Sequence, residues 1–224
     1  MRFVILSEKK WNSSLVDSLK AKVPAEWFYI TKKEDFSKEK LQAIAPQMIF
    51  IPHWSYIISQ DIYEQFDCVV FHMTDLPFGR GGSPLQNLIV RGFEKTKISA
   101  LKITNVVDGG DIYLKHDLSL LGTAEEILLR ANAIIELMIT RIINEKLVAT
   151  PQVGEAVVFN RRMVQDSDIS RLEKIDQVYD YIRMLDADGY PKAFYENEHF
   201  RFEFSRASLK ANKEIVADVR IIQK

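Results

Sequence analysis

Residues 69–84 read VVFHMTDLPFGRGGSP. An apolar run of β-type residues ends in His72, and a segment holding three glycines, two prolines and Arg80 follows at once. That run is one of four. RFVIL (2–6), EWFYI (26–30), QMIFIP (47–52) and CVVF (68–71) are short, nearly uninterrupted apolar stretches, the pattern of strands buried on both faces of a parallel sheet. Segments of helical spacing separate them. Leu15, Val16, Leu19 and Val23 follow the capping candidates Asn12 and Ser13, and SKEKLQAIA mixes strong helix formers with an apolar face. Strand alternating with helix predicts right-handed βαβ units and an open, mostly parallel, Rossmann-like α/β sheet. In such a sheet the ligand crevice lies beyond the carboxyl ends of the strands, which is where the chain breaks after His72.

Downstream, PLQNLIVRG predicts a short helix with Pro84 in its first turn and Gly92 at its C-cap. KISALKIT alternates like a strand, VVDGGD reads as a turn, and IYLKHDL as a strand pairing back across it. TAEE, from Thr123, is a capping box opening a long helix whose apolar face carries Ile127, Leu128, Ala131, Ile134, Ile135, Met138 and Ile142. Near VATPQVGEAV (148–157) the pattern changes, which divides the chain into a main domain, 1–150, and a small C-terminal α+β appendage, 151–224. The appendage reads as one helix, DISRLEKIDQVYDYIRML, then two antiparallel strands, HFRFEFSRASL and KEIVADVRIIQ. Its apolar residues are candidates for a homodimer contact.

The 224 residues are 47% hydrophobic and 27% charged, ordinary for a chain that buries a core. A net charge of -1 and a pI near 6.5 supply no basic field for nucleic acid or an anionic membrane, so a small ligand is the expected partner. The single Cys68 excludes an intrachain disulfide and a cysteine-cluster zinc site and fits a reducing compartment. MRFVIL holds too few apolar residues for a signal-peptide core and no run approaches a membrane span, so the chain reads as cytoplasmic. No metal site is expected.

His72 ends one predicted strand and His53, in IPHWSYII, ends its neighbour, which suggests a polar site at one sheet edge. Each imidazole can equally cap a strand end by bonding a backbone carbonyl. Gly79, Gly81 and Gly82 let the backbone approach a ligand, with Arg80 available for an anion. The segment is neither a Walker A loop nor a dinucleotide-binding fingerprint. Asp108, in VVDGGD, has two open roles: a turn former bonding its own backbone, or an acid/base group that orients an imidazole.

Taken together, VFHMTDLPFGRGGSP and, after a helix and a strand, VDGGDI resemble the folate-dependent formyltransferases. Members carry an Asn-x-His run ahead of S-L-L-P-x-x-R-G-x-x-P and a later turn like L-D-x-G-D-I. The likeness covers most of residues 1–150 and continues weakly into FNRRMVQDSDI. It implies the formyltransferase fold, with N10-formyltetrahydrofolate as formyl donor. It places His72 and Asp108 at the catalytic histidine and aspartate, where an acceptor amine attacks the formyl carbon, His72 donates to the tetrahedral oxyanion and Asp108 orients or takes the amine proton. The family asparagine falls on Val70, which cannot donate, and His53 and Ser55 are the candidates to replace it. The resemblance also puts Trp54, Ser55, Tyr56, Ile57, Val107 and Asp108 around the pterin, although Trp54, Tyr56 and Ile57 can equally be packing residues.

For the acceptor, the 12 Lys+Arg and 13 Asp+Glu of residues 151–224 offer no net basic surface for tRNA. The short tail and the FHMTDLPFGRGGSPLQN version of the motif look more like the sugar N-formyltransferases, in particular the enzyme acting on UDP-4-amino-4,6-dideoxy-N-acetyl-altrosamine in pseudaminic acid pathways of surface-glycan synthesis. A sugar nucleotide needs cations for its diphosphate and an aromatic face for its base. Arg80, Arg161, Arg162 and Lys192 are the candidate cations and Tyr190 and Phe194 the candidate platforms. Lys9 and Trp11 stand beyond the first strand, and Gly81 and Gly82 leave room beside His72. Each of these can also be an ordinary surface charge or packing aromatic. Two alternatives stay open: methionyl-tRNA as acceptor, or a folate-binding protein that transfers nothing.

Overall fold

The computed structural model describes residues 1–9 and 12–224. In chain order its elements are β1 (Arg2–Ser7), α1 (Ser13–Lys22), β2 (Glu26–Ile30), α2 (Lys38–Ile44), β3 (Met48–His53), α3 (Gln60–Tyr63), β4 (Cys68–His72), β5 (Phe78–Gly81) and α4 (Pro84–Ile89). They continue with β6 (Lys95–Lys102), β7 (Ile112–Ser119), α5 (Ala124–Asn144), β8 (Val157–Phe159), α6 (Ile175–Arg183), β9 (Ala193–Glu196), β10 (Phe200–Leu209) and β11 (Ile215–Gln223). Two compact units emerge. The first comprises Met1–Gly81, Lys97–Leu118 and Leu129–Val158, the second Gly82–Thr96, Ser119–Leu128 and Phe159–Lys224.

The central sheet runs in the order β2-β1-β3-β4-β6-β7. The four apolar runs of the sequence are its parallel strands, while β6 joins β4 antiparallel. This is the expected α/β architecture, mostly parallel. Alternation along each strand sorts the core into two layers. Val4, Leu6, Ile49 and Ile51 pack with Leu41, Ile44, Ile58 and Ile62 on one face. Phe3, Trp27 and Phe50, of opposite parity, meet as tilted rings 5.0 to 6.4 Å apart.

The helix starts show how local chemistry sets boundaries. Ser37 caps α2 by accepting from the Lys40 amide at 3.3 Å. Thr123 and Glu126 form the expected capping box of α5, with Thr123 N donating to Glu126 Oε2 at 2.7 Å and Glu126 N to Thr123 Oγ1 at 3.3 Å. Asn12 precedes α1 without a capping bond, because its side-chain amide donates instead to Ser7 Oγ at 2.7 Å. On α5 the buried face is shifted slightly from expectation: Ile139 is fully buried and Ile134 only half-buried.

Three sequence expectations change. The glycine segment after His72 is not a loop throughout, since Phe78–Gly81 is extended as β5. The tail helix is confined to Ile175–Arg183, because Asp168 binds the Ser170 amide at 2.9 Å in a local turn that competes with helix. The tail also has two strands beyond the two expected: β8, and β9, which is drawn from a segment read for its ligand aromatics and completes the sheet β11-β10-β9. In this second unit the buried Arg183 is fully engaged. It donates to the carbonyls of Leu120 and Gly122 at 2.6 and 2.9 Å and to Asp180 at 2.7 Å. No helix among the described residues is long and apolar enough to cross a membrane.

Candidate active site

Register builds the site. Val70 of β4 pairs with Ile51 of β3 on one side and Leu101 of β6 on the other, so these three side chains share one sheet face. They floor a cavity of about 300 Å³ whose walls are Trp54–Ile58 after β3 and Lys102–Thr104 with Val106–Asp108 after β6. The pterin candidates Trp54, Ser55, Tyr56, Ile57, Val107 and Asp108 are therefore brought together around one space. Trp54 meets Tyr56 edge-on at 5.3 Å and Phe36 at 6.0 Å, while Ile57 is 98% exposed, which rules out the packing role open to it.

At the Asp108 end stands His72, two residues beyond Val70 and buried. Its Nε2 lies 2.7 Å from the Gly79 carbonyl oxygen. A carbonyl only accepts, so Nε2 carries a hydrogen and Nδ1 is the nitrogen left for chemistry. Nδ1 faces Asp108 Oδ2 at 3.5 Å, and that oxygen also accepts from the Gly81 amide at 2.8 Å. Gly81, at φ +99°, is in a conformation that a side chain would strain, and this is how the backbone of β5 aims an N–H at Asp108.

Asp108 itself has φ +50°, a left-handed conformation that aspartate tolerates but that costs free energy. What holds it is Gln152, which the sequence reading missed. Its amide nitrogen donates to the Asp108 and Gly110 carbonyls, both at 2.8 Å, and its oxygen accepts from Arg80 Nη2 at 2.7 Å and Nε at 3.2 Å. The only sequence signal for this role is its position in TPQVG, where a polar side chain stands among turn formers.

His53 ends β3 opposite Ser7 in the register and does not line the cavity. Burial, with a smaller contribution from the Lys9 ammonium, lowers its imidazole to about 4, so the ring is neutral at pH 7. Ser55 does not replace the missing asparagine as a donor, because its one hydroxyl hydrogen goes to the Glu8 carboxylate.

The sugar-nucleotide residues are not assembled for a diphosphate. Arg80 is spoken for by Gln152, and Gly81 N–H by Asp108. Arg162 donates to the Asp166 carbonyl and lies over the Tyr181 ring at 5.2 Å, while Arg161 packs so close to Gly82 that a Cβ there would meet it at 2.6 Å. Tyr190 and Lys192 line a second cavity, but Glu125, Asp186, Asp188 and Glu203 surround them and Lys192 already pairs with Asp186 at 2.9 Å. Phe194 offers no platform: it is buried, and the Arg201 guanidinium covers its ring at 3.5 Å. Lys9 pairs with Glu8 at 3.6 Å, and Trp11 lies outside the described residues.

Comparison with known proteins bears on the acceptor. Residues 164–222 match the family model of the methionyl-tRNA formyltransferase C-terminal domain. The solved methionyl-tRNA formyltransferase from Clostridium thermocellum is 50% identical, with all of both chains covered and a TM-score of 0.97. Methionyl-tRNA formyltransferase of Rickettsia bellii is 28% identical over 61% of this chain and 47% of its own length, so the match spans about half of that curated relative. A sugar N-formyltransferase from Shewanella sp. FDAARGOS_354 shares the fold, with a TM-score of 0.68 and 97% and 96% of the chains covered, at only 13% identity. The expectation of a sugar-nucleotide acceptor is overturned by the 50% identity, and the expectation of no nucleic-acid partner loses its ground with it.

Proposed function

The chain belongs to the formyltransferase family, and from that premise we propose that it transfers a formyl group from N10-formyltetrahydrofolate to the α-amino group of methionyl-tRNA, with the catalytic groups in residues 1–150 and residues 151–224 as a small C-terminal subdomain. The observation that carries this reading is the 50% identity over the whole of both chains to a methionyl-tRNA formyltransferase. The cavity fits the donor. Its floor of Ile51, Val70 and Leu101 and its walls of Trp54, Tyr56, Ile57, Val106 and Val107 suit a flat heterocycle, and about 300 Å³ lies at the small end of ligand pockets. When bound, the folate supplies the formyl carbon; everything else is asked of the protein.

An acceptor amine must shed a proton to attack. The His72–Asp108 pair is where that proton goes, since His72 Nδ1 has no hydrogen in the neutral tautomer that Gly79 enforces and faces the carboxylate at 3.5 Å. Once protonated, Nδ1–H becomes a donor for negative charge developing on the formyl oxygen, and as the bond from the formyl carbon to the folate nitrogen breaks, the same proton is available to the departing nitrogen. The Gly81 amide keeps Asp108 aimed throughout.

Val70 gives a specific reason to hold a second reading, folate binding without transfer, because an apolar side chain occupies the sheet position expected to carry an amide donor. One experiment separates the two. The protein is incubated with N10-formyltetrahydrofolate and charged initiator tRNA, formyl-methionine is read by mass spectrometry, and folate affinity is measured in parallel by calorimetry. Formylated product supports transfer; tight folate binding with no product supports the second reading, and neither sinks both.

A further inference from the structure

The side-chain amide of Gln152 makes every hydrogen bond open to it. The two hydrogens on its nitrogen go to the Asp108 and Gly110 carbonyls, each at 2.8 Å, and the two acceptor directions of its oxygen are taken by Nε and Nη2 of Arg80 at 3.2 and 2.7 Å. An amide is nearly symmetric in shape, so sterics alone would let it turn over. Its partners forbid that. Reversed, the oxygen would face two carbonyls, which only accept, and the nitrogen would face a guanidinium, which only donates. The carbonyls belong to the Asp108 turn itself, so the group that sets the orientation from outside the turn is Arg80.

The turn is strained and tightly wedged. Asp108 stands at φ +50°, and a Cβ on Gly109 would meet Val106 Cγ1 at 2.5 Å. Gly109 N donates to the Val106 carbonyl at 3.0 Å and Lys102 N to the Asp111 carbonyl at 2.9 Å, which pins the two ends of the turn. Between them, Gln152 holds the carbonyls of Asp108 and Gly110. Without those two bonds Asp108 relaxes toward negative φ, and its carboxylate leaves the Gly81 amide at 2.8 Å and His72 Nδ1 at 3.5 Å.

We propose that Arg80 is a positioning residue of formyl transfer: its guanidinium locks the Gln152 amide in the orientation that holds the Asp108 turn, and so aims the carboxylate at His72. The role rests on the formyl-transfer reading of the site. It differs from the anion-binding role that the glycine segment suggests for Arg80. The Nε–Nη2 edge of a guanidinium is the one that grips a carboxylate or phosphate in bidentate fashion, and here that edge is turned onto Gln152.

The test couples turnover to amide exchange in the wild type, Arg80→Met, Arg80→Lys, Gln152→Ala and the combined Arg80→Met/Gln152→Ala variant. Formyl-methionine production gives kcat and the KM of each substrate, and hydrogen exchange followed by NMR on glycine-labelled protein reads the Gly81 amide. Arg80→Met should lower kcat by about 10- to 100-fold with both KM values moving less than about threefold, since the loss is one of aim and not of binding. Its Gly81 amide should exchange faster by about tenfold or more, while the Gly92 amide, bonded to the Ile89 carbonyl at 2.9 Å, keeps its rate and so excludes general unfolding. The combined variant should match Gln152→Ala alone, because two residues acting through one amide do not multiply their losses. Arg80→Lys keeps a cationic donor, should lie between the wild type and Arg80→Met in both readouts, and carries the test if the methionine variant does not fold. A raised KM for tRNA with kcat unchanged, an undisturbed Gly81 amide, or multiplied losses in the combined variant would overturn the proposal. A wild type that yields no formyl-methionine sinks the acceptor reading instead, and the Gly81 amide still decides what Arg80 does.

Discussion

His72 cannot present either nitrogen at will. Its bond to the Gly79 carbonyl leaves Nδ1 as the working atom, and Asp108 faces that atom with an oxygen already steadied by Gly81. His72→Ala and Asp108→Asn should each lower kcat by about 10²- to 10⁴-fold, the range of a lost acid/base group, while folate affinity by calorimetry changes little in His72→Ala, whose side chain is not among those lining the cavity. Unchanged turnover in both variants would remove the pair from the mechanism. A different prediction attaches to Cys68, one strand position from Val69 at the start of β4. Burial, and secondarily the adjacent Asp67 carboxylate, push its thiol up to about 12. The thiolate is the reactive form, so Cys68 should resist alkylation at pH 8 in the folded protein and react quickly in urea. Fast labelling of the native chain would contradict the buried placement.

At the scale of the element, the turn that carries Asp108 is held by neighbours, not by its own sequence. Gln152→Ala removes both donors to that turn and should lower kcat by about 10- to 100-fold through misplacement of the carboxylate. Gln152→Glu keeps an acceptor for Arg80 but not the donors, so its failure to restore turnover identifies the turn, and its success would identify Arg80, as what matters. Gly110→Ala should destabilise by about 1–3 kcal/mol in a denaturant melt, because the added Cβ runs into the Lys102 carbonyl, a backbone group that cannot swing away. These elements also show what a sequence reveals. The parallel strands and the α5 capping box were legible because their signals are local: a continuous apolar run, or a threonine three residues before a glutamate. His72 and Asp108 were legible as a motif. Gln152 was not, since its partners stand 42 to 72 residues away, and neither was β9, whose AFYE gains strand identity only by pairing with β10. The acceptor was misread because a charge balance summed over residues 151–224 carries no information on where the individual charges lie; the 50% identity, not the charge count, corrects it.

For the molecule as a whole, acid stability should bear the mark of one side chain. His53 titrates near 4 when folded, against 6.5 ordinarily, because burial and then Lys9 disfavour its charged form. Between those two values the unfolded chain holds a proton that the folded chain does not. Stability therefore rises with pH across that window and is lost as pH falls from 6.5 toward 4. The carboxylates of Glu136, lowered by Lys22 and Ser18 against the opposing effect of burial, and of Asp75, lowered by Lys115 and Lys97 against the same effect, also lose stability on acidification. Their ordinary values are 4.5 and 3.8, so their loss falls mainly below the His53 window. His53→Gln keeps a polar side chain of similar reach without the titration. Denaturant melts at a series of pH values should then show a flatter profile above pH 4.5 in the variant and an equally steep decline below it. Parallel profiles through the upper window would mean that His53 is accessible to protons in the folded chain, and that the strand end where it sits is open to water.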